Sequence, residues 1–74
     1  MKLNILSCNA QRPDKRAITQ CFVEISSNMS ASLANELTQI LLEGDPIDIE
    51  VKDKNSGTAL RALRKLSLDY EIIE

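Results

Sequence analysis

Three stretches of the chain alternate apolar and polar residues in the way that β-strands do. The clearest is 46–52, where every second residue is Ile or Val and the residues between them are charged. This pattern predicts a strand with one face toward solvent. Residues 3–7 and 68–73 alternate less strictly, and they are predicted to be strands as well.

Two further stretches repeat apolar residues with the spacing of an α-helix. The first begins at Ser30 or Ser32, either of which can cap a helix start, and ends before the Gly-Asp-Pro sequence at 44–46. The second begins within 55–58, whose sequence Asn-Ser-Gly-Thr is typical of a helix start. The predicted apolar stripes are Leu33, Leu37, Ile40 and Leu41 in the first helix, and Ala59, Leu60, Leu63 and Leu66 or Ser67 in the second.

Residues 13–27 fit two interpretations, because they are rich in residues that strands favour. A strand over 17–26 exposes Phe22, whereas a helix that begins at Pro13 buries it and leaves only Val23 outside the apolar stripe. Burial of a Phe side chain is worth on the order of 2 kcal/mol, which outweighs the few tenths per residue of helix propensity. We therefore predict a helix, and the strand remains the alternative.

The resulting order, strand-helix-helix-strand-helix-strand, predicts an α/β (α+β) fold. We expect a two-layer sandwich in which a three-stranded sheet carries the helices on one face. With residues 17–26 as a strand, the order becomes ββαβαβ. A chain of 74 residues leaves no room for a second core, so residues 1–74 are predicted to form one small globular domain.

The composition argues against several classes of function. The chain has no His, one Phe and one Tyr. General acid–base catalysis at neutral pH most often uses His, and recognition of RNA bases relies on aromatic side chains. A net charge of −2 argues against general nucleic-acid binding, although residues 1–16 are locally basic. We expect no enzyme activity, no cofactor and no metal.

The apolar runs are far shorter than the roughly 18 residues that span a bilayer, and the first residues lack the apolar stretch of a secretion signal. A cytoplasmic protein without a membrane partner is therefore expected. Cys8 and Cys21 are predicted to be reduced, since disulfides are rare in the cytosol, and a disulfide between them is the alternative. Cys21 lies in the apolar stripe of the predicted first helix, whereas Cys8 precedes the basic residues and is an alternative activated thiol.

Four carboxylates are predicted to share the open face of the sheet: Asp48 and Glu50 on one strand, and Asp69 and Glu71 on another. Exposed carboxylates on a strand are ordinary, so a solvated face is the simplest interpretation. A weak divalent-metal site is the alternative, because hard cations bind oxygen ligands.

Several short segments of the chain follow one another in an order that is typical of one family. They are the strand ending Ile5-Leu6, the helix start Asp14-Lys15-Arg16-Ala17-Ile18, the helix end Val23-Glu24-Ile25-Ser26, the stretch from Ala34 to Leu37, Pro46, and the stretch from Ala59 to Leu66 followed by Tyr70-Glu71. In this arrangement the chain resembles the C-terminal domain of the bacterial ribosomal stalk protein, over nearly its whole length. The resemblance implies the fold and a surface on the first two helices that recruits translation factors.

The factor-binding residues of that family are mostly not matched. Lys15 matches a family Lys, but Thr19 stands at the exposed apolar position, Gln20 and Val23 stand at further basic positions, and Asn35 replaces a basic residue of the second helix. The turn between the two helices also lacks the family's glycines. The resemblance therefore implies the fold without factor recruitment.

The outer face of the predicted first helix is the leading candidate for a functional surface. Lys15, Arg16, Thr19, Gln20 and Val23 share this face and form a mixed apolar and basic strip, which suits a protein partner. We expect a non-enzymatic interaction module, a small adaptor or regulator, whose partner is another protein. A homo-oligomer is also compatible with the sequence.

Binding of an anion or an RNA backbone is the alternative function. It would use Arg12 in the basic loop and the start of the last helix, at Lys54, Ser56, Gly57 and Thr58, because free N–H groups at a helix start attract anions. This segment lacks the spacing of a phosphate loop. Point charges in this arrangement would give salt-dependent binding to phosphates.

Overall fold

The structure is a computed structural model, and it describes residues 1–73. Three strands and three α-helices follow one another in the order that the sequence predicts, so the predicted α+β fold is confirmed. A short 3-10 turn at Asp53–Asn55 precedes the last helix. The elements are β1 (Lys2–Cys8), α1 (Lys15–Ile25), α2 (Ala31–Leu42), β2 (Ile47–Glu50), α3 (Ser56–Lys65) and β3 (Leu68–Ile73).

The sheet has β1 at its centre, with β2 on one side and β3 on the other, and both pairs are antiparallel. Directly opposed residues lie on the same face of a sheet. Leu3 is opposite Ile49 and Ile5 is opposite Ile47, and all four are buried under the helices. The three helices therefore cover one face of the sheet.

The helices and the sheet enclose one hydrophobic core. The largest fully buried side chain is Phe22, which is 0% exposed. It belongs to a cluster of aliphatic residues from both the helices and the sheet. The buried apolar residues are Leu3, Ile5, Ile18, Cys21, Phe22, Ile25, Ala34, Leu41, Ile47, Ile49, Val51, Ala59, Leu63 and Leu68. All three predicted strands and all three predicted helices contribute to this set.

The contested segment is helical, and the alternative strand over 17–26 is wrong. The helix begins at Lys15, because the Asp14 carboxylate accepts a hydrogen bond of 3.1 Å from the backbone N–H of Ala17 and so caps the helix. Pro13 lies before this cap, so the prediction that the helix begins at Pro13 was wrong by two residues. The buried side chains are Ile18, Cys21, Phe22 and Ile25, as the helical interpretation requires.

The second helix confirms the predicted position and half of the predicted stripe, because Leu41 is buried and Leu37 packs against the core. Ser30 is its cap and accepts a 3.1 Å hydrogen bond from the backbone N–H of Leu33. The buried residues are Ala34, Thr38 and Leu41, whereas Leu33 and Ile40 are about 40% exposed. The smaller residues face inward because they let α2 lie close to α1 and the sheet, which leaves part of the leucine stripe at the edge.

The third helix begins at Ser56, within the predicted start, but no side chain caps it. The Asn55 side chain makes no cap hydrogen bond, and the 3-10 turn leads the backbone into the helix instead. The preceding strand is shorter than the predicted 46–52. It ends at Glu50, and Val51 forms a single bridge with Ser26 at the end of α1.

Within residues 1–73, none of the helices has both the length and the apolar character that crossing a bilayer requires.

Candidate protein-binding site

A shallow groove of about 300 Å³ runs between α1 and α2 on the outer side of the helical layer. All five residues that the sequence assigned to the partner-binding face line this groove. They are joined by Ala31 and Asn35 of α2; the full lining is Lys15, Arg16, Thr19, Gln20, Val23, Ala31 and Asn35. The structure thus brings the five predicted side chains together and adds a second wall.

The outward direction of these side chains follows from the burial of the opposite side of α1. Ile18 and Phe22, one turn apart, are 1% and 0% exposed, and they anchor the helix on the core. Residues on the other side must then face solvent. Arg16 and Gln20 are exposed, and Val23 is half-buried at the floor of the groove.

Thr19 differs from the other four, because its hydroxyl is already used within the chain. It donates a 3.0 Å hydrogen bond to the hydroxyl of Thr38, which in turn donates 2.7 Å to the carbonyl of Ala34. Thr38 is 0% exposed. This chain of hydroxyls ties α1 to α2 and fixes the width of the groove, so Thr19 acts mainly as a structural link.

The groove is electropositive at the start of α1. Lys15 and Arg16 are both exposed, and within residues 1–73 all the ion pairs present are formed by the terminal ammonium of Met1, with Glu50 and Asp53. The two bases therefore have no acidic partner among the described residues. At the other end of α1, the Gln20 side-chain amide donates 3.1 Å to the carboxylate of Glu24.

Sequence reasoning missed Ala31 and Asn35 as part of this site. In the sequence, Asn35 stands out only as a departure from a basic position, and Ala31 does not stand out. Their contribution depends on how α2 packs against α1, which no periodicity within one helix encodes. The one available signal was their spacing of four residues, which places them on the same side of α2.

The residues of the anion-binding alternative do not come together. Arg12 follows the end of β1, whereas Lys54, Ser56, Gly57 and Thr58 follow β2, beside the beginning of β1. The two ends of a seven-residue strand are separated by about 20 Å. A single anion cannot contact both groups, so the alternative is left with two separate sets of surface residues.

The uncovered face of the sheet carries the four predicted carboxylates. Asp48, Glu50, Asp69 and Glu71 are all exposed. Asn4 lies between Asp48 and Glu71 in the register, and its Oδ1 is shielded from solvent without a hydrogen-bond partner among residues 1–73. No group of three His, Cys, Asp or Glu side chains in that part of the chain is arranged to hold a metal ion.

Both cysteines are free thiols, and the structure does not join them in a disulfide. Cys21 is buried in the core, and desolvation raises the pKa of its thiol to about 11, with a smaller contribution from the nearby charge of Glu24. A raised pKa disfavours the reactive thiolate. Cys8 is half-buried, and its sulfur lies 3.9 Å from the Leu66 carbonyl oxygen.

Comparison with known proteins adds no relative to this picture. No protein-family model, no curated protein and no solved structure matches the chain. The resemblance to the ribosomal stalk domain therefore stays a prediction, and the function must be argued from the geometry alone.

Proposed function

We propose that the protein is a non-enzymatic interaction module, a small adaptor or regulator, that binds another protein through the outer face of α1. The observation that carries this proposal is the groove between α1 and α2, which is lined by Lys15, Arg16, Thr19, Gln20 and Val23. A half-buried apolar floor beside unpaired bases offers a partner both apolar contact and charge recognition.

The tie between Thr19 and Thr38 supports the proposal, because it makes the groove a rigid feature of the fold. A preformed surface loses little conformational entropy when a partner binds. The size of the groove suits one or two side chains of a partner, which is the usual scale of an anchoring contact. The partner's contact residues should include at least one carboxylate, which would pair with Lys15 or Arg16.

A non-enzymatic role is consistent with the chemistry of the described side chains. Cys21, the more buried thiol, has a pKa raised to about 11 and is therefore a poor nucleophile. The sequence contains no His to act as a base near neutral pH. The proposal also assigns the protein to the cytoplasm, where two free thiols remain reduced.

The experiment is affinity capture from the native host with the chain and two double variants. Lys15→Glu with Val23→Asp places a negative charge at the rim and another at the floor of the groove. Lys65→Glu with Leu33→Asp makes the same chemical changes at exposed helical positions that do not line it. Circular dichroism checks that both variants keep the helical content of the parent.

We expect the groove variant to lose a partner that the parent and the control variant both capture. The proposal is wrong if the groove variant folds and retains every captured partner. It is also wrong if the two variants lose the same partners to the same extent, because the effect would then be one of charge alone.

A further inference from the structure

We propose that α1 pairs with α1 of a second copy of this chain, antiparallel and around a two-fold axis that passes between the two Gln20 side chains. This inference rests on the proposed function, because it takes the same face of α1 to be a protein-binding surface. The homodimer follows from a property of the exposed residues that a heterologous partner does not require: the charges on this face complement their own two-fold image.

The charges of α1 are separated by sign along its length. Arg16 lies in the first turn and Glu24 lies in the last, and both are exposed. Neither forms an ion pair within residues 1–73. The Gln20 amide holds the Glu24 carboxylate toward the centre of the helix through the 3.1 Å hydrogen bond. The exposed face is therefore basic at one end and acidic at the other.

Helical geometry makes this face self-complementary. Arg16, Gln20 and Glu24 are spaced four residues apart, so Arg16 and Glu24 lie about 6 Å along the axis on either side of Gln20. With 100° per residue, they also lie about 40° on opposite sides of the direction in which Gln20 points. A two-fold axis between the two Gln20 side chains places each Arg16 at the same height as the Glu24 of the other copy, diagonally across the contact and within reach of these long side chains. The dimer gains two symmetric ion pairs from one set of positions.

The apolar positions obey the same symmetry. The rotation that exchanges Arg16 with Glu24 also places Val23 opposite Ala17 of the second copy. Both residues are half-buried in the single chain. At 100° per residue, Val23 and Ala17 lie about 60° on opposite sides of Gln20, so they flank the point where the two helices come closest. Their burial adds apolar area at the edges of the contact between the two Gln20 side chains.

The second copy also supplies a positive charge at the carboxyl end of α1. The last turn holds Glu24 and no basic residue, which is unfavourable for the helix dipole. Pairing brings Arg16 of the other copy to this end.

The interface is small, because an 11-residue helix is only about 16 Å long. It falls below the size of a standard complex, so the dimer should be weak, with a Kd of about 10 µM to 1 mM.

The test is a charge exchange followed by analytical ultracentrifugation over about 10 µM to 1 mM protein. Arg16→Glu replaces both ion pairs of the dimer by contacts between two carboxylates. Glu24→Arg replaces both by contacts between two guanidinium groups. Each single variant should have a Kd raised about tenfold or more relative to the parent. An equimolar mixture of the two single variants should dimerise again, as should the double variant Arg16→Glu with Glu24→Arg. Arg61→Glu, an exposed change on α3, is the matched control and should leave the Kd unchanged.

A parent chain that stays monomeric up to about 1 mM overturns the inference. So does failure of both the mixture and the double variant to restore the dimer, or an Arg61→Glu effect as large as that of Arg16→Glu. These outcomes leave the proposed function intact where Lys15→Glu with Val23→Asp still abolishes capture of another protein. In that case Glu24→Arg should retain the captured partner, because a heterologous acidic partner needs the bases of α1 and not its acid.

Discussion

Replacement of Phe22 and of its neighbour Val23 by Ala should have very different effects, because α1 turns one inward and the other toward the groove. Phe22 is 0% exposed and Val23 is half-buried. A fully buried Phe replaced by Ala costs about 3–5 kcal/mol, from lost apolar burial and from the cavity that remains. This orientation decides both the core and the candidate binding face.

Val23→Ala removes two methyl groups that are mostly but not fully shielded from water, which costs about 1 kcal/mol. Ala also has the higher helix propensity, which returns about 0.5 kcal/mol. The net loss should be about 0.5 kcal/mol or less. A chain of 74 residues has a free energy of unfolding of about 4–11 kcal/mol, so Phe22→Ala can unfold it. Phe22→Leu keeps most of the volume and should cost about 1 kcal/mol.

The assay is urea denaturation followed by circular dichroism at 222 nm, because the chain has no Trp for fluorescence. If the free energy of unfolding falls with urea concentration at the same slope in all variants, they unfold from comparably compact states. The reasoning fails if Val23→Ala costs as much as Phe22→Leu, or if Phe22→Ala costs less than about 1 kcal/mol. Either result would mean that α1 is rotated about its axis relative to the structure.

Three further predictions follow from contacts outside this comparison. Thr19→Val and Thr38→Val should be coupled in a double-mutant cycle by about 0.5–1.5 kcal/mol, because the two hydroxyls share one hydrogen bond of 3.0 Å; additive effects in urea denaturation would contradict this. In the native protein Cys8 should react with a thiol reagent well before Cys21, whose burial raises its pKa to about 11, and equal rates in a native time course would refute the burial. In a chain that begins at Met1, hydrogen bonding to a carboxylate raises the pKa of the terminal ammonium above 8.0, so its stabilisation is present below pH 8 and is lost as the pH rises through the raised value; acetylation of the amine should abolish this part of the pH profile in urea denaturation.

The sequence was a good guide to α1, because one residue distinguished its two interpretations. Only a helix buries Phe22 together with Ile18 and Cys21, and the structure has all three in the core. The same argument predicted which five residues of α1 would be left on its outer side. Periodicity within a single element is therefore sufficient for half of the groove.

The rest of the core and of the groove depends on packing between different helices and strands, which the sequence pattern does not reveal. Thr38 is the clearest case, since a threonine is no sign of a core position, and yet it is 0% exposed because its hydroxyl finds partners on both helices. Asn35 joined the groove for the same reason, through the position of α2 beside α1. The separation of Arg12 from Lys54 likewise follows from the sheet order, which places their loops at opposite ends of β1.

The central position of β1 has a consequence for synthesis on the ribosome. Lys2 emerges before the other two strands of the sheet, yet one of its two strand partners is Ile73, in the last of them. Until the codons for β3 have been translated, a nascent chain can form the α1–α2 hairpin from neighbouring residues but cannot complete its sheet. Along the edge that β3 will occupy, the backbone N–H and C=O groups of β1 therefore stay unpaired until β3 has been made. A premature stop before Leu68 would release a polypeptide that has its helices and no finished core, a natural target for chaperones and proteases.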